Sequence, residues 1–159
     1  MRSIVRKARA EDLEKCVYIA GVFHDESQFA NVTEYRTADA TNYANLCLKN
    51  KRKLFMVYEK EGEVVGFFIC GMHPVVWNSQ QFVSSEELFF ILPEHQSPRI
   101  ALRFFRAWER WCRHHKVVQM SFTPTSFVDN NLDRWDGFCR ALNYVRGGVY
   151  YKKVLNHAD

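Results

Sequence analysis

Leu88-Phe89-Phe90-Ile91-Leu92-Pro93-Glu94-His95-Gln96-Ser97-Pro98-Arg99-Ile100-Ala101 passes from one backbone periodicity to another. The apolar run from Leu88 to Leu92 suits a strand covered on both faces, and Pro93 stops it because proline cannot donate to a ladder. Ser97 then stands at an N-cap position. Pro98 occupies the first helical position, where its missing N–H is no loss. From Pro98 to His115 the residues Ala101, Phe104, Phe105, Trp108, Trp111 and Cys112 recur at i, i+3, i+4 and i+7, which predicts the longest helix of the chain with one face in the core. Arg99, Arg103, Arg106, Arg110 and Arg113 fall on its other side. A helix start of this kind presents unpaired N–H groups and the positive end of the helix dipole. It is therefore a site for a phosphate or pyrophosphate, to which Arg99 and Arg103 would add charge. The plainer alternative is an ordinary capped helix.

Upstream, Ser3 to Ala8 alternates apolar and charged residues as a half-buried strand does. Ala10 to Phe23 then takes helical spacing through Leu13, Val17 and Ala20 or Gly21. His24 to Arg36 is polar and interrupted. Thr37 or Asp39 is placed to cap a second helix with Tyr43, Leu46 and Cys47 on its apolar face. Leu54–Tyr58 and Val64–Cys70, joined by a short Gly-containing turn, predict a hairpin. Downstream, Val117 to Phe122 reads as a strand and Leu132 to Leu142 as a short helix. Tyr144 to Leu155 reads as a last strand or pair of strands, with Gly147-Gly148 as the bend. The order is β-α-α-β-β-β-α-β-α-β, an α/β (α+β) chain.

The whole chain has 159 residues, 47% hydrophobic and 25% charged, which suits one folded domain. No apolar run approaches a membrane span and the start lacks the apolar core of a secretion signal, so a cytoplasmic protein is expected. Five cysteines without a C-x-x-C pair favour reduced thiols. Cys112-Arg113-His114-His115 has no second ligand pair at usable spacing, so no metal site is expected. The net charge of +4 is too mild for a dedicated nucleic-acid binder, and the aromatics that would stack on bases belong to the core face of the long helix.

The segment Gln96-Ser97-Pro98-Arg99-Ile100-Ala101 resembles the Arg/Gln-x-x-Gly-x-Gly/Ala turn of the Gcn5-related N-acetyltransferases (GNAT), with Arg99 in place of the middle glycine. The hairpin Leu54–Cys70 with Val65-Gly66-Phe67 is similar to the family's x-V-G-x second and third strands. Phe138-Cys139-Arg140-Ala141-Leu142-Asn143-Tyr144 is similar to its F-Y-x-x-L-G-F near the C terminus, and the element order agrees. The resemblance covers nearly the whole chain and is nearest to short bacterial and phage-encoded members.

The resemblance implies a mixed, mostly antiparallel central sheet with helices on both faces and a single N-acetyltransferase domain. It implies acetyl-coenzyme A as cofactor and transfer of its acetyl group to a primary amine, on a small molecule or a protein, by a monomer or homodimer. Backbone groups of Phe90, Ile91 and Leu92 would hold the pantetheine arm. Gln96, Ser97, Arg99, Ile100, Ala101 and Arg103 would meet the phosphates, and Asn131 the coenzyme. The general base would be Glu86 or Glu87. Alternation places these on opposite faces; Glu87 shares parity with Ile91 unless a bulge intervenes, so both stay open. Cys139 stands where the family places a Tyr as general acid. The alternatives are a catalytically silent member retained for binding or structure and, behind it, a nucleic-acid-binding module.

Overall fold

The computed structural model describes residues 3–123 and 132–148. In chain order the elements are β1 (Ser3–Lys7), α1 (Leu13–Glu26), α2 (Thr37–Lys49), β2 (Lys53–Lys60), β3 (Glu63–Val75), β4 (Asn78–Ile91), α3 (Pro98–His114), β5 (Gln119–Ser121) and α4 (Leu132–Ala141). The sheet runs β1-β2-β3-β4-β5, antiparallel from β1 to β4, with β5 parallel to β4.

The pleat explains the layering. Side chains of successive residues leave a strand on opposite faces, so β3 sends Phe67 and Ile69 one way and Phe68 the other. Phe67 and Ile69, with Phe55 and Leu88, meet α1 and α2. Phe68 stacks on Phe104 of α3 at 5.9 Å between ring centroids and contacts Trp108 at 5.3 Å. From α4, Phe138 closes on Phe105 at 5.1 Å. Helices thus cover both faces.

Two polar devices fix the elements around the site. Arg6 of β1 meets Asp12 at 2.7 Å and Glu59 of β2 at 2.7 Å, which ties the start of α1 to the sheet. The guanidinium holds the buried Asp12 carboxyl below its usual range. Under α3, Trp108 Nε1 donates to Ser84 Oγ at 2.9 Å and Ser84 Oγ donates to the Gly71 carbonyl at 2.8 Å, so a polar relay inside the core loses no hydrogen bond.

The β2–β3 hairpin is longer than the sequence predicts. Its register reaches Lys60↔Glu63, and the two turn residues Glu61 and Gly62 both have positive φ, 55° and 90°, a twist that matches the flanking strands. On α2 the buried stripe holds Ala44 and Cys47, whereas Leu46 is 53% exposed, so the expected apolar face is rotated. The strand expected over Val117–Phe122 shortens to Gln119–Ser121, paired with Val83–Ser85 of β4, and the Val118 N–H before it donates to the Phe82 carbonyl at 2.9 Å. Tyr144–Gly148 carries no strand; the rest of the last expected strand lies outside the described residues.

Candidate active site

Among the described residues, β4 is paired on both edges only from Val83 to Ser85. Beyond Ser121 the chain of β5 leaves the sheet while β4 continues beside β3 to Ile91, so the sheet forks at Glu86. Leu92 N–H donates to the Val65 carbonyl at 3.0 Å, and by antiparallel alternation the backbone groups of Phe90 also face β3. Those of Ile91 and Phe89 point into the opening, where they have no strand partner among the described residues. Gln96 Nε2 donates to the Ile91 carbonyl at 3.1 Å and so braces the end of the strand against the turn before α3.

A bulge of β4 sits at Glu87. Leu88 pairs with Ile69 and Glu86 with Cys70, which leaves Glu87 as the extra residue. The inserted residue breaks the alternation, and Glu87 joins Leu88 on the α1–α2 face. There its carboxylate accepts from Tyr43 Oη and pairs with Lys53 Nζ. Gly71 makes the space, since a Cβ there would collide with the Glu87 carboxylate.

Glu86 stands at the fork itself. Its carboxylate accepts from the Thr123 backbone N–H, which favours the ionised form. Burial opposes this more strongly, helped by the Glu87 charge, and pushes the carboxyl up to about 7. Two adjacent acids thus have different surroundings: Glu87 is ion-paired, and Glu86 has no cation beside it among the described residues.

At the start of α3, Ser97 Oγ accepts from Arg99 N–H at 3.3 Å, and the N–H groups of Ile100 and Ala101 reach the Ser97 carbonyl at 3.0 and 3.2 Å. Ile100 and Ala101 are buried; Gln96 and Arg99 are exposed. Arg103 turns away from the fork, its Nη1 donating to Ser3 Oγ at 3.2 Å on the far edge strand. Cys139 of α4 is half-buried, and burial followed by the Asp136 charge raises its thiol, so it is protonated at neutral pH. Asn143, next to it, takes φ 62°, the left-handed turn for which a glycine is the usual residue. Beside α4, the Tyr144 hydroxyl is buried and has no partner among the described residues. Asn131 lies outside the described residues.

A strand-turn-helix brace beside a forked sheet is a specific arrangement, and the sequence pattern that defines the acetyltransferase (GNAT) family matches residues 19–133. The chain belongs to that family. Solved structures share its fold at low sequence identity. The aminoglycoside N-acetyltransferase AAC(6')-Iy, solved with a bisubstrate analogue of coenzyme A and acetylneamine, superposes with a TM-score of 0.72 at 15% identity over 96% of this chain and 99% of that one. A predicted acetyltransferase from Clostridium acetobutylicum, solved with acetyl-CoA, gives 0.71 at 14% identity, over 98% and 96% of the two chains. A transcriptional regulator from Bacillus halodurans C-125 gives 0.76 at 14% identity, over 96% and 99%. No curated protein matches by sequence.

Several residues of this GNAT-family chain that shape the fork were invisible in the sequence. Tyr43, Lys53 and Thr123 sit 44, 34 and 37 positions or so from the acids they serve, about the distance at which no local pattern operates. Gly71 carried no motif. Among the described residues no group of three or more His, Cys, Asp or Glu side chains is arranged to hold a metal, and no helix is long and apolar enough to cross a membrane.

Proposed function

We propose that the protein transfers an acetyl group from acetyl-coenzyme A to a primary amine, with Glu86 as the general base. The observation that supports this most directly is the carboxyl at the fork, poised near neutral pH where β4 loses its second neighbour. Ile91 and Phe89 offer backbone groups to an extended chain at a strand edge inside the sheet. The pantetheine arm, which carries two amides, fits that edge as a short strand does.

Acetyl-coenzyme A, when bound, supplies a thioester carbonyl open to attack by an amine. Glu86 then takes the proton of the attacking amine, directly or through a water, which a carboxyl near pH 7 does without being trapped in either form. Backbone N–H groups on the open edge of β4 are fixed donors for the carbonyl oxygen as it gains charge. The Cys139 thiol is protonated and is the family-position candidate to hand a proton to the leaving sulfur; Tyr144, with its orphaned hydroxyl, is the neighbouring alternative. At the helix start, Pro98 has no N–H and the Arg99 N–H is occupied by Ser97, so the Arg99 side chain takes over part of the phosphate binding.

Acetyl-coenzyme A should raise the melting temperature, because a ligand that binds only the folded state stabilises it. Thiol release with a primary amine should accompany it. No thermal shift at millimolar coenzyme would remove the assignment. Arg99→Ala should weaken coenzyme A binding by roughly 1.5–3 kcal/mol, the range for a hydrogen bond to a charged group. With dephospho-coenzyme A, a penalty that vanishes assigns Arg99 to the 3′-phosphate and one that persists assigns it to the pyrophosphate.

A second reading, a silent member of the family that binds without turnover, is favoured by the loss of turn donors at Pro98 and Arg99. Saturable coenzyme binding with no thiol release across amine classes would establish it.

A further inference from the structure

Between α1, α2 and the sheet lies a cavity of about 210 Å³. Ala20 and Phe23 of α1, Ala40 and Ala44 of α2, and Ile69 and Leu88 of the sheet contribute to its wall. Its position links it to the bulge of β4. Leu88, in its wall, follows the bulge residue Glu87 in the chain, and Tyr43, also in its wall, donates to the Glu87 carboxylate.

The polar atoms in the wall are already engaged with the protein. Tyr35 Oη donates to the Val17 carbonyl at 2.6 Å. His24 Nε2 donates to the Thr33 carbonyl at 2.9 Å, and its Nδ1 lies 3.1 Å from the Asp25 carboxylate. Tyr43 Oη is held by Glu87, and Glu87 by Lys53. The Cys16 thiol, pushed up to about 12 by burial, stays neutral. A hydroxyl or ammonium placed in this cavity would give up its water and find no partner, whereas an apolar group would lose only contact with water. Size agrees. A dry cavity of about 150 Å³ lined by Leu, Ile and Phe is known to hold benzene, so this one takes an aryl or a slightly larger alkyl group.

We propose that this cavity is the part of the acceptor site that holds the acceptor's side group, and that it selects a primary amine carrying an apolar group, aryl or alkyl. The identification as an acceptor subsite rests on the acetyltransferase reading above; the ligand class rests on the cavity alone. Polyhydroxylated polyamines such as aminoglycosides do not match it, because their hydroxyls would be buried unpaired and the neighbouring Glu87 is already neutralised by Lys53.

The test is calorimetric titration of the parent protein, with and without acetyl-coenzyme A, using n-alkylamines from ethylamine to hexylamine, 2-phenylethylamine, spermine and kanamycin. Affinity should rise about fourfold per added methylene, the transfer preference of a CH2 group, and 2-phenylethylamine should bind at least tenfold more tightly than ethylamine. A flat alkyl series, or spermine or kanamycin binding more tightly than hexylamine, overturns the proposal. Ala44→Leu, which fills part of the cavity, should reduce 2-phenylethylamine affinity at least tenfold while the acetyl-coenzyme A thermal shift persists; an unchanged affinity in the folded variant also overturns it. If that variant does not fold, the alkyl series on the parent decides. The two readings fail separately. A rising alkyl series without any acetyl-coenzyme A binding removes the enzyme and keeps the apolar site, while coenzyme binding with a flat series removes the apolar site alone.

Discussion

Replacing Glu86 by Gln should lower kcat by roughly 10²–10⁴, the usual contribution of a positioned general base, while the acetyl-coenzyme A thermal shift survives. Glu87→Gln should have a smaller effect on turnover, because Glu87 serves Lys53 and Tyr43 rather than the open edge of β4. The parent pH profile distinguishes the two acids further. Only the ionised Glu86 accepts a proton, so kcat/KM should fall as pH drops through about 7, and that limb should vanish in Glu86→Gln. Full turnover in Glu86→Gln on a confirmed substrate would place the base elsewhere.

The same carboxyl makes a stability prediction of defined sign. Its folded pKa, about 7, lies above the ordinary 4.5, so the folded state holds the proton more tightly than the unfolded chain does. The stabilising contribution of that proton is complete below about 4.5 and disappears as pH rises through about 7. Glu86→Gln, which stays neutral at every pH, should therefore melt higher than the parent at pH 8. The gain should be up to about 3 kcal/mol and should shrink towards pH 4.5. A variant that melts lower than the parent at pH 8 would contradict burial as the cause of the raised pKa.

Phe68→Ala should destabilise the fold by roughly 3–5 kcal/mol, measured from the urea midpoint at constant m. The ring is fully buried, and its centroid lies within 6 Å of Phe89, Phe104, Phe105 and Trp108. Those neighbours belong to β4 and α3 on a close-packed face. They relax only in part, so the change costs the lost transfer energy and leaves a void. Because β3 holds β4 in place, the variant should also loosen the register that places Glu86 at the fork. A loss below about 1 kcal/mol would mean that the α3 face repacks freely.

The sequence by itself determined the order of elements through α4, the N-cap and proline that open α3, and the core stripe on that helix. Each follows from interactions within a few residues: strand and helix periods of 2 and 3.6, and turn residues whose backbone preferences are intrinsic. The two adjacent acids before an apolar run were legible for the same reason, whereas the bond from Gln96 to the Ile91 carbonyl was not. The tertiary structure alone decided which acid is ion-paired and which stands at the fork. A single inserted residue at Glu87 reverses the alternation, and nothing in Glu86-Glu87-Leu88 announces it, because a bulge is set by the register of the neighbouring strand and by the space at Gly71. The hydrogen bond from Arg103 to Ser3 was not legible either, since the direction of a long side chain depends on what lies across the fold. The apolar cavity likewise arises from three segments far apart in the chain, and its lack of free polar groups appears only once Tyr35, His24 and Tyr43 have found partners on other elements.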